Sequence, residues 1–187
     1  MVDAVLTAGD NIDLTQPGGS GTNVIVTKKQ TSGFFDYNDL ATATTPLVIT
    51  GGGASVVLTN DGLGSFTNKL YPPAGVTDVW DASSTLLDFS ELTLGSKVEY
   101  RVDVDVTITG ANAEVILEID LGIGLAPYTL SVGRSYFKTA GTYNITISNF
   151  VYIGDTNTKN GGGRFKISSS NNMDVKVNGW ACYITTY

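Results

Sequence analysis

The chain has 187 residues, of which 42% are hydrophobic and 16% charged, with a net charge of −7 at pH 7. That is room for one sandwich or barrel with an appendage, and the apolar share excludes a disordered polymer. Lys28-Lys29 is a lone basic doublet, so nucleic acid and anionic membrane are excluded as expected partners, because phosphates are met by clustered Lys and Arg.

Histidine is absent and Cys182 is the single cysteine. No intrachain disulfide can form, and neither a Ser-His-Asp nor a Cys-His centre can be built within the chain. No phosphate-loop, nucleophile-elbow or zinc-protease motif occurs, so no enzyme activity and no cofactor are expected. The opening residues, MVDAVLTAGD, lack the cationic start and long apolar run of a secretory leader. No stretch reaches the roughly 18 apolar residues of a membrane span. A protein made in the cytoplasm and kept out of membranes is expected.

In chain order, residues 1–64 are rich in Thr, Gly, Asn and Asp and form one region, an N-terminal arm of short strands. GDNIDLT (9–15) and GTNVIVT (21–27) share the pattern Gly-x-Asn-Ile/Val-x-Leu/Val-Thr. Their alternating aliphatics and the Gly-rich link between them predict a hairpin. PLVIT (46–50) and GGGASVVLT (51–59) add further extended pieces.

In LYPPAGVTDVW (70–80), Pro72-Pro73 rules out a central strand. Tyr71 and Trp80 either cap the core or form a ligand surface, since Trp and Tyr are enriched at interfaces. ASSTLLDFSEL (82–92) has the composition for one helical turn.

KVEYRVDVDVTIT (97–109) alternates throughout. Val98, Tyr100, Val102, Val104, Val106 and Ile108 point one way, and Lys97, Glu99, Arg101, Asp103, Asp105 and Thr107 the other. AEVILEIDL (113–121) repeats the pattern, with Glu114, Glu118 and Asp120 outward. Period two marks strands with one dry and one wet face. A hairpin through GANA (110–113) would set Asp103 against Asp120 and Asp105 against Glu118. Opposed like charges destabilise a sheet, so that arrangement would need a cation such as calcium. The alternative, two strands in different sheets, needs none.

Alternation returns around Tyr143–Ile147, Phe165–Ile167 and Met173–Val177, with turn signals at NGGG (160–163), SSSNN (168–172) and NG (178–179). The last strand, WACYITTY (180–187), puts Trp180, Cys182 and Ile184 on one face and Tyr183, Thr185 and Tyr187 on the other. A strand covered on both faces is central or lies at a subunit interface, and Tyr183, Thr185 and Tyr187 are the candidate interface.

The order LGSKVEYRVDVDVTIT then AEVILEIDLGIG, closing on MDVKVNGWACYITTY, resembles the strands of tumour-necrosis-factor-like jelly rolls over residues 65–187. AGDNIDLT and GTNVIVT resemble the short repeats of bacteriophage fibre and head-fibre proteins. The combination is similar to phage capsid decoration proteins. The resemblance implies an all-β jelly-roll sandwich behind an N-terminal arm, in a virion. It also implies a homotrimer whose arm docks on the major capsid protein or another virion protein. Jelly rolls also host lectins, so the alternative is a receptor- or carbohydrate-binding head of a short tail fibre. Trp80, Tyr128, Tyr136 and Tyr152 are candidates for a groove that takes host surface glycan.

Overall fold

A computed structural model of the chain describes residues 12–15, 25–37, 44–59, 68–81 and 83–187. The strands, in chain order, are β1 (Ile12–Thr15), β2 (Ile25–Lys28), β3 (Ser32–Tyr37), β4 (Leu47–Ile49), β5 (Val56–Val57), β6 (Asn68–Tyr71) and β7 (Trp80–Asp81). They continue as β8 (Leu86–Leu87), β9 (Lys97–Ile108), β10 (Ala113–Leu121), β11 (Tyr128–Phe137), β12 (Gly141–Tyr152), β13 (Gly163–Ser169) and β14 (Met173–Thr185), and a short helix, α1, spans Thr156–Gly161.

Two antiparallel sheets pack face to face. The first runs β12-β9-β14-β3-β6, with β4 also paired to β14. The second runs β11-β10-β13-β8-β7, with β5 also paired to β13. Eight of these strands give the orders β4-β14-β9-β12 and β5-β13-β10-β11. Along the chain, β4, β5, β9 and β10 alternate between sheets, β11 stays with β10, and β12, β13 and β14 alternate again. That is the double Greek key of a jelly roll.

The alternation seen in the sequence is the reason the layers meet. Val98, Val102, Val104 and Val106 of β9 and Val115, Leu117, Ile119 and Leu121 of β10 are buried between the sheets with Phe35, Phe89, Phe165 and Ile184. The outward polar residues of β9 keep that side of the strand wet.

The arm differs from its expected extent. β3, β4 and β5 all precede residue 64, yet they pair with β14 and β13, and Phe35, Ile49 and Leu58 are wholly buried. The sheets therefore draw strands from both sides of the boundary placed there. β1 and β2 pair with each other, Ile12 opposite Lys28 through Thr15 opposite Ile25, as the two repeats predict. Their link lies outside the described residues.

Three local readings are corrected. Asn178-Gly179 is a bulge inside β14 rather than a turn. Val177 pairs Val104 and Gly179 pairs Asp103, leaving Asn178 as the extra residue. The helical turn expected over 82–92 is absent among residues 83–92, where the Asp81 carboxylate accepts from the Ser83 and Ser84 amides and the chain enters β8. The turn signal NGGG (160–163) instead closes a short helix, α1, which lies within DTNTKNGG. Its start is capped by Asp155, which accepts from the Thr158 amide at 2.7 Å. Its end is closed by Gly162 at φ 63°, a positive φ that glycine adopts without strain. No helix among the described residues is long and apolar enough to cross a membrane.

Candidate functional site

The four acids proposed as a calcium site do not converge. β9 lies in the first sheet and β10 in the second, so Asp103 and Asp105 never face Asp120 and Glu118. Across the ladder, Asp103 meets Thr146 and Gly179, and Asp105 meets Asn144 and Lys176. The Asp103 carboxylate accepts from Arg101 Nε at 2.9 Å and from Thr146 Oγ1 at 2.5 Å. Asp105 accepts from the side-chain amides of Asn144 and Asn178, each at 2.9 Å. Those two hydrogen bonds, aided by Lys176, hold its carboxyl below the usual range. In the other sheet Asp120 meets Lys166 at 2.9 Å and Thr129 Oγ1 at 2.5 Å, and Glu118 accepts from Ser55 Oγ at 2.6 Å. Strand pairing supplies each acid with a partner. Among the described residues no three His, Cys, Asp or Glu side chains are grouped to hold a metal ion.

The outer face of the first sheet carries a different feature. Register places Tyr71, Phe34, Tyr183, Glu99 and Phe150 in one line across β6, β3, β14, β9 and β12. Tyr71 is 59% exposed, Phe34 40%, Tyr183 46% and Phe150 57%. The Phe34 and Tyr71 rings lie 6.2 Å apart. Lys97 Nζ, which pairs with Glu99, stands 5.9 Å from the Phe150 ring centroid. Exposed apolar side chains in such a row mark a site of interaction.

Between Tyr183 and Phe150 runs a cleft of about 530 Å³, floored by Ala181, Arg101 and Ser148. It adjoins a polar cleft of about 440 Å³ lined by Asp36, Asp103, Asn144, Thr146 and Asn178, and the two share Arg101 and Ala181. Cys182 belongs to β14, and its thiol is buried on the core side. Burial pushes it up to about 12, so it is an inert core group rather than a nucleophile.

Of the predicted site residues, Tyr183 is in the row and Thr185 is half-buried on the same face. Tyr187 is exposed, with its carbonyl accepting from Thr93 Oγ1 at 3.0 Å. Tyr71 is in the row, but Trp80 is not a surface group. It is buried at 6% exposure against Trp180, because the turn after Pro72-Pro73 folds Val76, Val79 and Trp80 into the core. Tyr128 and Tyr136 lie on β11 in the second sheet and Tyr152 on β12 in the first, so the four aromatic residues named as a glycan groove do not meet. Phe34 and Phe150 were missed. Phe150 follows Asn144, Thr146 and Ser148 on the outward positions of β12, and an aromatic at the end of a polar row was the available signal.

No protein-family model matches the chain, and no curated protein sequence does. Among solved structures, a chain of the infectious bursal disease virus Gx strain aligns with 98% of this chain at 10% identity and a TM-score of 0.48. The alignment takes in 42% of that viral chain, so this chain spans less than half the length of that neighbour. The PRD1 vertex protein P5 aligns over 97% of this chain and 85% of its own length at 14% identity, TM-score 0.40. The CBM22-1-GH10 modules of a Clostridium thermocellum endo-1,4-beta-D-xylanase, complexed with xylohexaose, align over 85% of this chain and 27% of theirs at 13% identity, TM-score 0.36.

Proposed function

We propose that the protein is a non-enzymatic structural component of a virus particle, a capsid decoration or head-fibre protein that assembles as a homotrimer. The aromatic row on the outer face of the first sheet carries this reading. Phe34, Tyr71 and Tyr183, continued by Thr185 and Tyr187, form the surface buried between copies, and the N-terminal stretch attaches the assembly to another virion subunit by strand addition. The jelly-roll order supports the reading at the level of fold, since this architecture builds capsid domains as well as lectins. A stable contact of this kind buries on the order of 1,000 Å² or more, which a row spanning five strands can supply.

Light scattering on the purified chain tests it. The expected mass is three times that of one chain. Exchanging exposed Phe34 and Tyr183 for Ser should give monomers that melt cooperatively. A wild type that stays monomeric at every accessible concentration overturns the reading. Mass spectrometry of purified particles should also find the chain among the virion proteins.

One observation favours a second reading, a carbohydrate-binding head. The aromatic cleft opens into one lined by Asp36, Asn144 and Asn178 through Arg101, and aromatic planes beside amides and carboxylates suit sugar rings and hydroxyls. A glycan array gives binding on this reading and none on the first.

A further inference from the structure

β1 and β2 hydrogen-bond to each other and, among the described residues, to no other strand. A two-stranded sheet is marginal in water and becomes stable on gaining a third strand or an apolar face. The same molecule offers an edge of the right kind. β11 ends the second sheet, with nine of its ten residues paired to β10 and Val132 left over at a bulge. Long edges are normally blunted by Pro, Lys, bulges or brevity. β11 contains neither Pro nor Lys, its bulge leaves paired stretches at 128–131 and 133–137, and its one charge, Arg134, is drawn to Glu114 at 2.8 Å.

The register with β10 sets Tyr128 opposite Leu121 and Leu130 opposite Ile119. Leu121 and Ile119 face the core, so Tyr128 and Leu130 lie on the core side as well. They nevertheless remain 40% and 44% exposed. The remaining edges compare poorly. β6 has four residues and runs into Pro72-Pro73, and β7 has two. β12 is long, but its core-side Ile145 and Val151 are already covered.

A hairpin from the same copy cannot fill the β11 edge. Residues 29–31 join β2 to β3, and from Lys28 to Ser32 the chain spans at most about 14 Å. β3 lies three strands from β12, and β12 stands over β11, where Ile147 packs on Gly133 and Asn149 reaches the Val132 carbonyl. A strand added outside β11 would lie four strand spacings and one sheet gap from β3, about 20 Å with spacings of ~4.8 and ~10 Å. The tether is too short.

We infer that β11 receives the β1–β2 hairpin of a second copy of this chain. Each copy gives one hairpin and accepts one, a head-to-tail contact that closes into a ring. Main-chain hydrogen bonds along β11 supply the affinity, and the hairpin covers Tyr128 and Leu130. The inference rests on the homotrimer reading; β1 and β2 then join sister subunits, and residues 1–11 remain for docking on another virion protein.

The test uses the full chain with a benzophenone amino acid in place of Leu130, prepared as an equal mixture of ¹⁵N-labelled and unlabelled protein. After irradiation, mixed-isotope cross-links should map to residues 12–28. The variant Leu130→Lys should melt cooperatively while amide exchange in β1 and β2 speeds up by about tenfold or more. A trimer that gives no mixed-isotope cross-links, or gives them elsewhere, overturns this inference and leaves the trimer standing. A monomer overturns both. Cross-links to 12–28 within one isotope species only, or capture of the hairpin by added capsid protein alone, also overturn it.

Discussion

The indole rings of Trp80 and Trp180 meet edge to face, with centroids 5.0 Å apart and planes crossed at 80°. Trp80 belongs to β7 in the second sheet and Trp180 to β14 in the first, so the contact ties the layers together. Phe165 makes a second such contact with Trp180 at 4.9 Å and 83°. Replacing Trp80 with Ala should lower stability by about 3–5 kcal/mol, read as a fall in the urea midpoint. A loss below about 1 kcal/mol would place Trp80 outside the core.

Deleting Asn178 should leave the chain folded. Met173, Val175 and Val177 face inward before the bulge, and Trp180, Cys182 and Ile184 after it. Val177 opposite Val104 and Gly179 opposite Asp103 make Asn178 the one extra residue, so its removal brings both sets into a single alternation and keeps their faces. The deletion and Asn178→Gly both lose the hydrogen bond to Asp105, so each should fold with a modest loss. Cooperative melting followed by circular dichroism is the check, and a deletion variant that fails to fold overturns this account of the register.

Asp105 should make stability depend on pH. Its carboxyl is held below the usual value by Asn144 and Asn178, with help from Lys176. A group whose folded pKa is depressed stabilises the fold above its unfolded pKa and loses that contribution as pH falls through the folded pKa. Wild type should therefore exceed Asp105→Asn in stability at neutral pH. The gap should narrow below about pH 4. Denaturant midpoints across that range provide the check, and a gap independent of pH would remove the carboxylate from the account.

Gly33→Ala should destabilise the chain by roughly 1–3 kcal/mol. An added methyl would overlap the Tyr71 carbonyl and approach Pro72 and Pro73 backbone atoms to 2.7 Å. Those atoms are backbone, so β6 must part from β3. Since Phe34 and Tyr71 share the aromatic row, the same variant should also weaken self-association, measurable by sedimentation.

Calcium should leave the melting curve unmoved, because Asp103 and Asp105 are satisfied in one sheet and Glu118 and Asp120 in the other. A rise of several degrees with calcium, reversed by a chelator, would restore the cation reading.

The strands β9 and β10 were legible because twelve and nine residues of strict alternation admit one arrangement. Their placement in separate sheets was one of two readings, the one in which the like charges need no cation. α1 was invisible: six residues carry no apolar period, and its only signals are the cap Asp155 and the closing Gly162. Asn178-Gly179 reads as a turn from composition alone. Inward residues on both sides, out of phase by one, distinguish the bulge. The aromatic row could not be read from the chain, because Phe34, Tyr183 and Phe150 become neighbours only through the pairing of strands far apart in sequence. The sequence leaves Trp80 open between core cap and ligand surface because the irregular segment around it has no period to show which way it turns.

β14 occupies the middle of its sheet, with β9 on one side and β3 and β4 on the other, yet it follows every other strand in the chain. During synthesis the second sheet can close as soon as β13 is made. β9 and β3, by contrast, have nothing to join them until β14 emerges. The two layers therefore mature at different moments, and the step that unites the first one comes last. A growing chain that has freed β13 but not yet β14 from the ribosome holds one finished sheet, one divided sheet, and two open edges competing for any strand nearby.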